Sequence, residues 1–249
     1  MCFSATASFG AGAVLTTAGV VSLRHASEAR QILFAGIPLV FAFQQAVEGC
    51  VWLALTHRLP AGLAQPATYT FLFLAQVVWP FYIPLAMMVL ERQRWRRNIL
   101  TGISCLGILA AMSRAWSLLS HDVFARTLDH HISYRYDHAT AYGEYGLALY
   151  LLLLVVPTFL SGIRWMWTFG VAILLSYVLA EIVFAEFAIS VWCFFAAIIS
   201  VCVFAIVRTM HPVSGNPPIR ETPVAPLDGN RSGIAPVGRK ILNVPSNGP

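Results

Sequence analysis

Gln45, Glu48 and Trp52 stand in FQQAVEGCVW, residues 43–52, inside a run that is otherwise almost wholly apolar. Their spacing, i, i+3 and i+7, puts them on one face of a helix. Arg114, Ser117 and His121 repeat that spacing, and Glu186, Ser190 and Cys193 follow the similar i, i+4, i+7 spacing. An ionised group at membrane depth costs roughly 2.5–3.5 kcal/mol on the insertion scale, so such side chains turn inward and find a partner or water. Two chemistries fit these residues. The first is a Glu48–Arg114 ion pair, which either only holds two helices together or forms part of a pocket. The second is metal-assisted. Cys2, His121, His131, Glu48 and Glu186 are types that zinc accepts, and a zinc-type divalent ion held by the cysteine and histidines activates water, with Glu48 as general base.

The metal reading rests on company rather than on spacing, because His130, His131 and His138 have none of the tight intervals of a signature such as HExxH. The five cysteines contain no CxxC and lie mostly in apolar runs, where cysteine acts as a small hydrophobe. Residues 120–145 form the longest connection and carry four of the seven histidines, together with Tyr134. A connection of that length is expected to be a lid or a binding segment.

The elements that must position these residues are set by composition. Of the 249 residues 58% are hydrophobic and 11% charged, against about 25% charged in a soluble domain. A spanning helix takes about 20 apolar residues, and seven such runs are present: roughly 3–23, 31–56, 68–90, 99–119, 146–163, 165–184 and 186–208. The count falls to six if the turn expected near Phe184 lies elsewhere. The fold class is therefore an all-α integral membrane bundle over residues 1–210. Prolines 80 and 84 kink the third run at its middle. Residues 211–249 hold eight of the fourteen prolines and no aromatic residue, and are expected to be a disordered cytoplasmic tail.

Orientation follows from the arginines of the connections. Arg24, Arg30, Arg92, Arg94, Arg96, Arg97, Arg164 and Arg208 fall on one side, and Arg58, Arg126 and Arg135 on the other. The N-terminus then faces outward, which in a bacterial inner membrane means the periplasm. Cys2, Ser4 and Ser8 begin the first helix on that same side. Glu48 lies about 12 Å, and Arg114 about 8 Å, below the outer ends of their helices. Nearly every candidate thus falls in the outer half. The net charge of +5 is a membrane-orientation signal, since four of its sixteen basic residues sit in ERQRWRRN, and nucleic acid is excluded as a partner. The expected partners are the lipid bilayer and a small-molecule or lipid ligand.

Four stretches, MCFSATASF (1–9), QQAVEGCVW (44–52), HISY (131–134) and SVWCFFAA (190–197), resemble a bacterial family of multi-pass membrane proteins of unknown function. The resemblance implies a membrane fold, draws attention to Cys2, Gln45, Glu48, Trp52, His131, Tyr134, Trp192 and Cys193, and supplies no substrate. On residue types alone, the favoured function is a metal-dependent hydrolase acting on a lipid-like substrate. The alternatives are a proton-coupled or small-solute transporter or sensor, and a structural or partner-binding membrane protein.

Overall fold

The computed structural model describes residues 4–128, 131–137, 144–184 and 188–210. It is mostly helical. Helix α1 (Ala5–His25) starts where Ser4 accepts a hydrogen bond from the Ala7 amide. After a single turn of 3-10 helix, Ala29–Gln31, the chain continues as α2 (Ile32–Ala35) and α3 (Ile37–Leu55), with Pro38 in the first turn of α3, where its missing N–H has no intrahelical partner to lose. Helices α4 (Ala64–Leu72) and α5 (Trp79–Leu90) are joined by a π-helical segment, Phe73–Val78. Then follow α6 (Arg94–Ser120), α7 (Glu144–Leu160), α8 (Met166–Phe184) and α9 (Ala188–Thr209).

Five helical stretches among the described residues are long and apolar enough to cross a membrane: Ala5–His25, Ala29–Leu55, Ala64–Leu90, Arg94–Ser120 and Met166–Val183. A shorter apolar helix covers Gly146–Leu160. Helix α8 ends at Phe184, and residues 185–187, where the expected turn falls, lie outside the described residues. Residues 211–249, expected to be a disordered tail, lie outside the described residues.

Three expectations are corrected. The fold is not purely helical, because the connection after α6 contains an antiparallel hairpin, β1 (Val123–Leu128) and β2 (His131–Tyr136), with Val123 opposite Tyr136 and Leu128 opposite His131. HISYRY alternates polar and apolar side chains and is rich in β-formers, so it takes the extended form once packed on the bundle. The distortion of the third run begins before its prolines, in the π segment. And RWRR is not a loop but the first turn of α6.

Three arginines there, Arg94, Arg96 and Arg97, oppose the helix macrodipole, and buried Glu91 offsets them. Its Oε1 accepts from the Arg92 and Gln93 amides at 3.0 Å each, and its Oε2 from the Gly162 amide at 2.7 Å. Glu28 joins the same end through ion pairs with Arg30 (2.8 Å) and Arg92. Three connections, around residues 28, 92 and 162, are thereby tied together. The main core, from Phe34 and Ile37 through Trp79, Ile83, Met87 and Leu153 to Phe169 and Val203, fills the middle. A second cluster lies under the hairpin: Val51, Trp52, Phe71, Leu72, Leu118, Val123 and Ile132.

Candidate functional site

Helices α1 and α3 are joined by a stripe of small residues. Ser8, Gly12, Leu15, Gly19 and Ser22 recur every three to four positions and are buried. A Cβ on Gly12 would lie 3.7 Å from that of Gln45, and one on Gly49 would meet the Phe9 ring at 2.7 Å. This antiparallel register puts Ser8 opposite residues 49–50, between Glu48 and Trp52 on α3, and Gly12 beside Gln45. Close backbone approach through small residues is how membrane helices pack without a hydrophobic drive between them.

The resulting layer is polar and buried. Gln45 and Glu48 are fully buried, and Trp52 and Ser8 nearly so. Among the described residues neither Nε2 nor Oε1 of Gln45 has a hydrogen-bond partner, nor does Trp52 Nε1 or Ser8 Oγ. Gln44, on the neighbouring face of α3, differs: its Oε1 accepts from Trp79 Nε1 at 2.9 Å. Each buried polar group left without a partner costs about 1–3 kcal/mol. Four such atoms on this face therefore offer a group of donors and acceptors that no described residue satisfies.

The hairpin covers this layer. Strand β1 packs on α3 and α4, and β2 on α9. His131, Ile132 and Ser133 are buried, and the Tyr134 ring stacks on Phe71 with centroids 5.1 Å apart. Tyr136 donates to Gln76 Oε1 of the π segment at 2.8 Å, and Tyr69 to the His121 carbonyl at 3.2 Å. Burial pushes the Tyr136 phenol above its usual range, opposed by the Gln76 hydrogen bond and the Arg114 charge.

The sequence-predicted residues separate into groups. Gln45, Glu48 and Trp52 share the buried face of α3, with the strand that carries His131 and Tyr134 packed above. His121 ends α6, its Nδ1 3.0 Å from the Ser117 carbonyl, whereas His131 pairs with Leu128 at the far end of the hairpin. Five ladder positions separate His131 from Tyr136, about 16 Å at 3.3 Å per residue, so the hairpin holds the two imidazoles apart. Arg114 lies beside Tyr136 and lines a cleft between α5, α6 and α7. Among the long helices α3 packs chiefly on α1, α4 and α9, and α6 chiefly on α5, the π segment and α7. Cys2 and Glu186 lie outside the described residues, as do His130 and His138, and Ser190 and Cys193 belong to α9 with their side chains outside the description. Among the described residues no three His, Cys, Asp or Glu side chains gather as a metal-ligand set.

The long apolar helices define this as a helical protein of membrane type, with a buried polar layer beneath a β-hairpin. The chain belongs to the family of unknown function DUF6629, whose model matches residues 1–216. No curated protein and no solved structure matches it.

Proposed function

We propose that this chain is a multi-pass protein of a bacterial inner membrane, with seven spans and a periplasmic N-terminus, that binds a small polar solute in the layer formed by Ser8, Gln45, Glu48 and Trp52. The carrying observation is the Gln45 side chain, fully buried with neither of its polar atoms hydrogen-bonded to any of the described residues. A buried amide contributes nothing to folding on those terms and is best explained by a ligand that both accepts from Nε2 and donates to Oε1. Glu48 supplies a carboxyl group to the site, and the hairpin acts as its cover. Transport or sensing of the solute fits this arrangement better than hydrolysis. The metal-dependent hydrolase draws on Cys2 and Glu186 for its remaining ligands.

The test is thermal unfolding of the detergent-purified chain in a panel of small polar solutes and divalent ions, beside Gln45→Leu and Glu48→Gln. Gln45→Leu keeps the volume and removes two orphaned atoms, so it should be at least as stable as the wild type while losing the response to the stabilising solute. A loss of more than about 2 kcal/mol in Gln45→Leu, the range of a structural buried amide, would make Gln45 a folding residue and end the proposal. A response to zinc alone, abolished in His131→Ala, would transfer the site to the metal reading.

A further inference from the structure

We propose that the arginine-rich end, where α6 begins beside the α7–α8 connection, binds the phosphate headgroups of anionic lipids in the adjacent leaflet, with Arg94, Arg97 and Arg164 as its cations. The three connections tied together there, with the first turn of α6, carry six arginines against two carboxylates, Glu28 and Glu91. Both carboxylates are already committed: Glu28 to Arg30 and Arg92, and Glu91 to three backbone amides. Arg94, Arg97 and Arg164 are exposed, and none of their guanidinium groups has an ion pair or a hydrogen-bond acceptor among the described residues.

Two elements meet to form the patch. A Cβ on Gly162 would collide with Nη1 of Arg96, so the α7–α8 connection lies directly against the start of α6, and Arg164 follows two residues later. On each side a guanidinium rests on an indole: Arg96 is 5.2 Å from the Trp95 ring centroid, and Arg164 is 5.6 Å from that of Trp165. Trp165 has a φ of 69°, uncommon for a bulky residue. That turn lets its ring stack on Trp167 with centroids 6.3 Å apart, which residues two apart on a helix do not do. An arginine lying on a ring keeps its N–H edge outward, in the fork that suits phosphate oxygens. Arg94 and Arg97 stand one turn apart on α6, where like charges repel each other and oppose the macrodipole. No side chain caps that helix start, so a bound anion relieves the repulsion and also faces the first amides.

Position selects a lipid over a soluble anion. Helix α6 has 27 residues, about 40 Å at 1.5 Å per residue, which matches a bilayer with its headgroups. Arg94 is its first residue, so the patch lies at headgroup level. Trp95, Trp165 and Trp167 are 56%, 45% and 51% exposed, and indoles belong at the boundary between hydrocarbon and headgroups. Residues 211–249 are repelled as an occupant, since Arg220, Arg231, Arg239 and Lys240 outnumber Glu221 and Asp228. The inference rests on the membrane reading of the long helices and is independent of the solute layer around Gln45.

The experiment is native mass spectrometry of the full chain released from micelles doped with equal phosphatidylglycerol and phosphatidylcholine. In each of Arg94→Gln, Arg97→Gln and Arg164→Gln the ratio of retained phosphatidylglycerol to phosphatidylcholine should fall about fivefold, the factor one interfacial charge supplies. Arg126→Gln and Arg135→Gln, on the hairpin at the other end of α6, should leave it nearly unchanged. All five side chains are exposed, so the variants keep the fold. No fall in the first three variants overturns the proposal, as does an equal fall in the hairpin pair, which would reduce the effect to overall charge. Displacement of the lipid by millimolar inorganic phosphate also overturns it, making the patch a site for free anions. Release of the chain from membranes by alkaline carbonate would instead defeat the membrane reading itself, and the proposal with it, whatever the lipid ratio.

Discussion

The Tyr150 hydroxyl on α7 donates to the carbonyl oxygen of Ala75 over 2.6 Å, and it does so because Pro80 cannot. In the π register of Phe73–Val78 the donor for the Ala75 carbonyl is the amide five residues on, and that residue is proline, which has no N–H. A side chain from another helix therefore completes the backbone of α4–α5, and α7 is fixed to the distorted rod by the same bond.

Tyr150→Phe should cost about 1–2 kcal/mol, because a carbonyl buried away from water loses its partner. Pro80→Ala restores an amide at that position, so the double variant should recover much of the loss. Reversible unfolding in mixed micelles measures the cycle, and strictly additive effects would show that Tyr150 acts by packing alone.

The glycines should rank by what a methyl group meets. A Cβ on Gly107 would collide with the Pro80 carbonyl oxygen, which Pro84 leaves without its usual amide donor, so backbone must move. Gly107→Ala should cost about 3 kcal/mol, the upper end for overpacking. At Gly49 the obstacle is the Phe9 ring, a movable side chain, and the cost should be about 1 kcal/mol. Gly102 has nothing within 4 Å, so alanine there should stabilise by about 0.5 kcal/mol through helix propensity. The same unfolding assay reads all three.

Glu91→Ala should be among the most damaging single changes at the arginine-rich end. It leaves the amides of Arg92, Gln93 and Gly162 without their acceptor and removes the charge that offsets RWRR, a loss of about 3 kcal/mol or more. Glu91→Gln keeps one acceptor oxygen and should cost about half as much. Limited proteolysis at the 91–93 and 161–165 connections should report the loosening directly.

Stability should fall in alkali through Tyr136. Its folded pKa is raised above the ordinary 10.0, so the native state keeps a proton that the unfolded chain gives up. That contribution is fully present below pH 10 and is lost as pH rises through the folded value. Tyr136→Phe should flatten this part of the profile. Arg114→Gln should displace it to higher pH, since the guanidinium lowers the phenol's pKa. A pH series of unfolding midpoints distinguishes the two.

What the sequence determined by itself was whatever depends on composition and helical spacing. The apolar runs specify the long helices because a chain in lipid must satisfy its backbone internally, and i, i+3, i+7 spacing places Gln45, Glu48 and Trp52 on one face whatever they pack against. Ser8 was legible too, as a polar residue at the start of the first helix on the same side. What only tertiary structure decided was contact between segments distant in the chain. HISYRY becomes a strand only when β1 and the ends of α3 and α4 give it a surface, since strand preference is mostly a matter of packing. Helical spacing puts Arg114 and Ser117 on one face of α6, yet it carries no information about which helix lies opposite. The fold turns Arg114 toward Tyr136 and the α5–α7 cleft, and the ladder register carries His131 away from His121. The Tyr150–Ala75 bond was beyond any local reading, because the π segment that creates its need and the tyrosine that meets it are 75 residues apart.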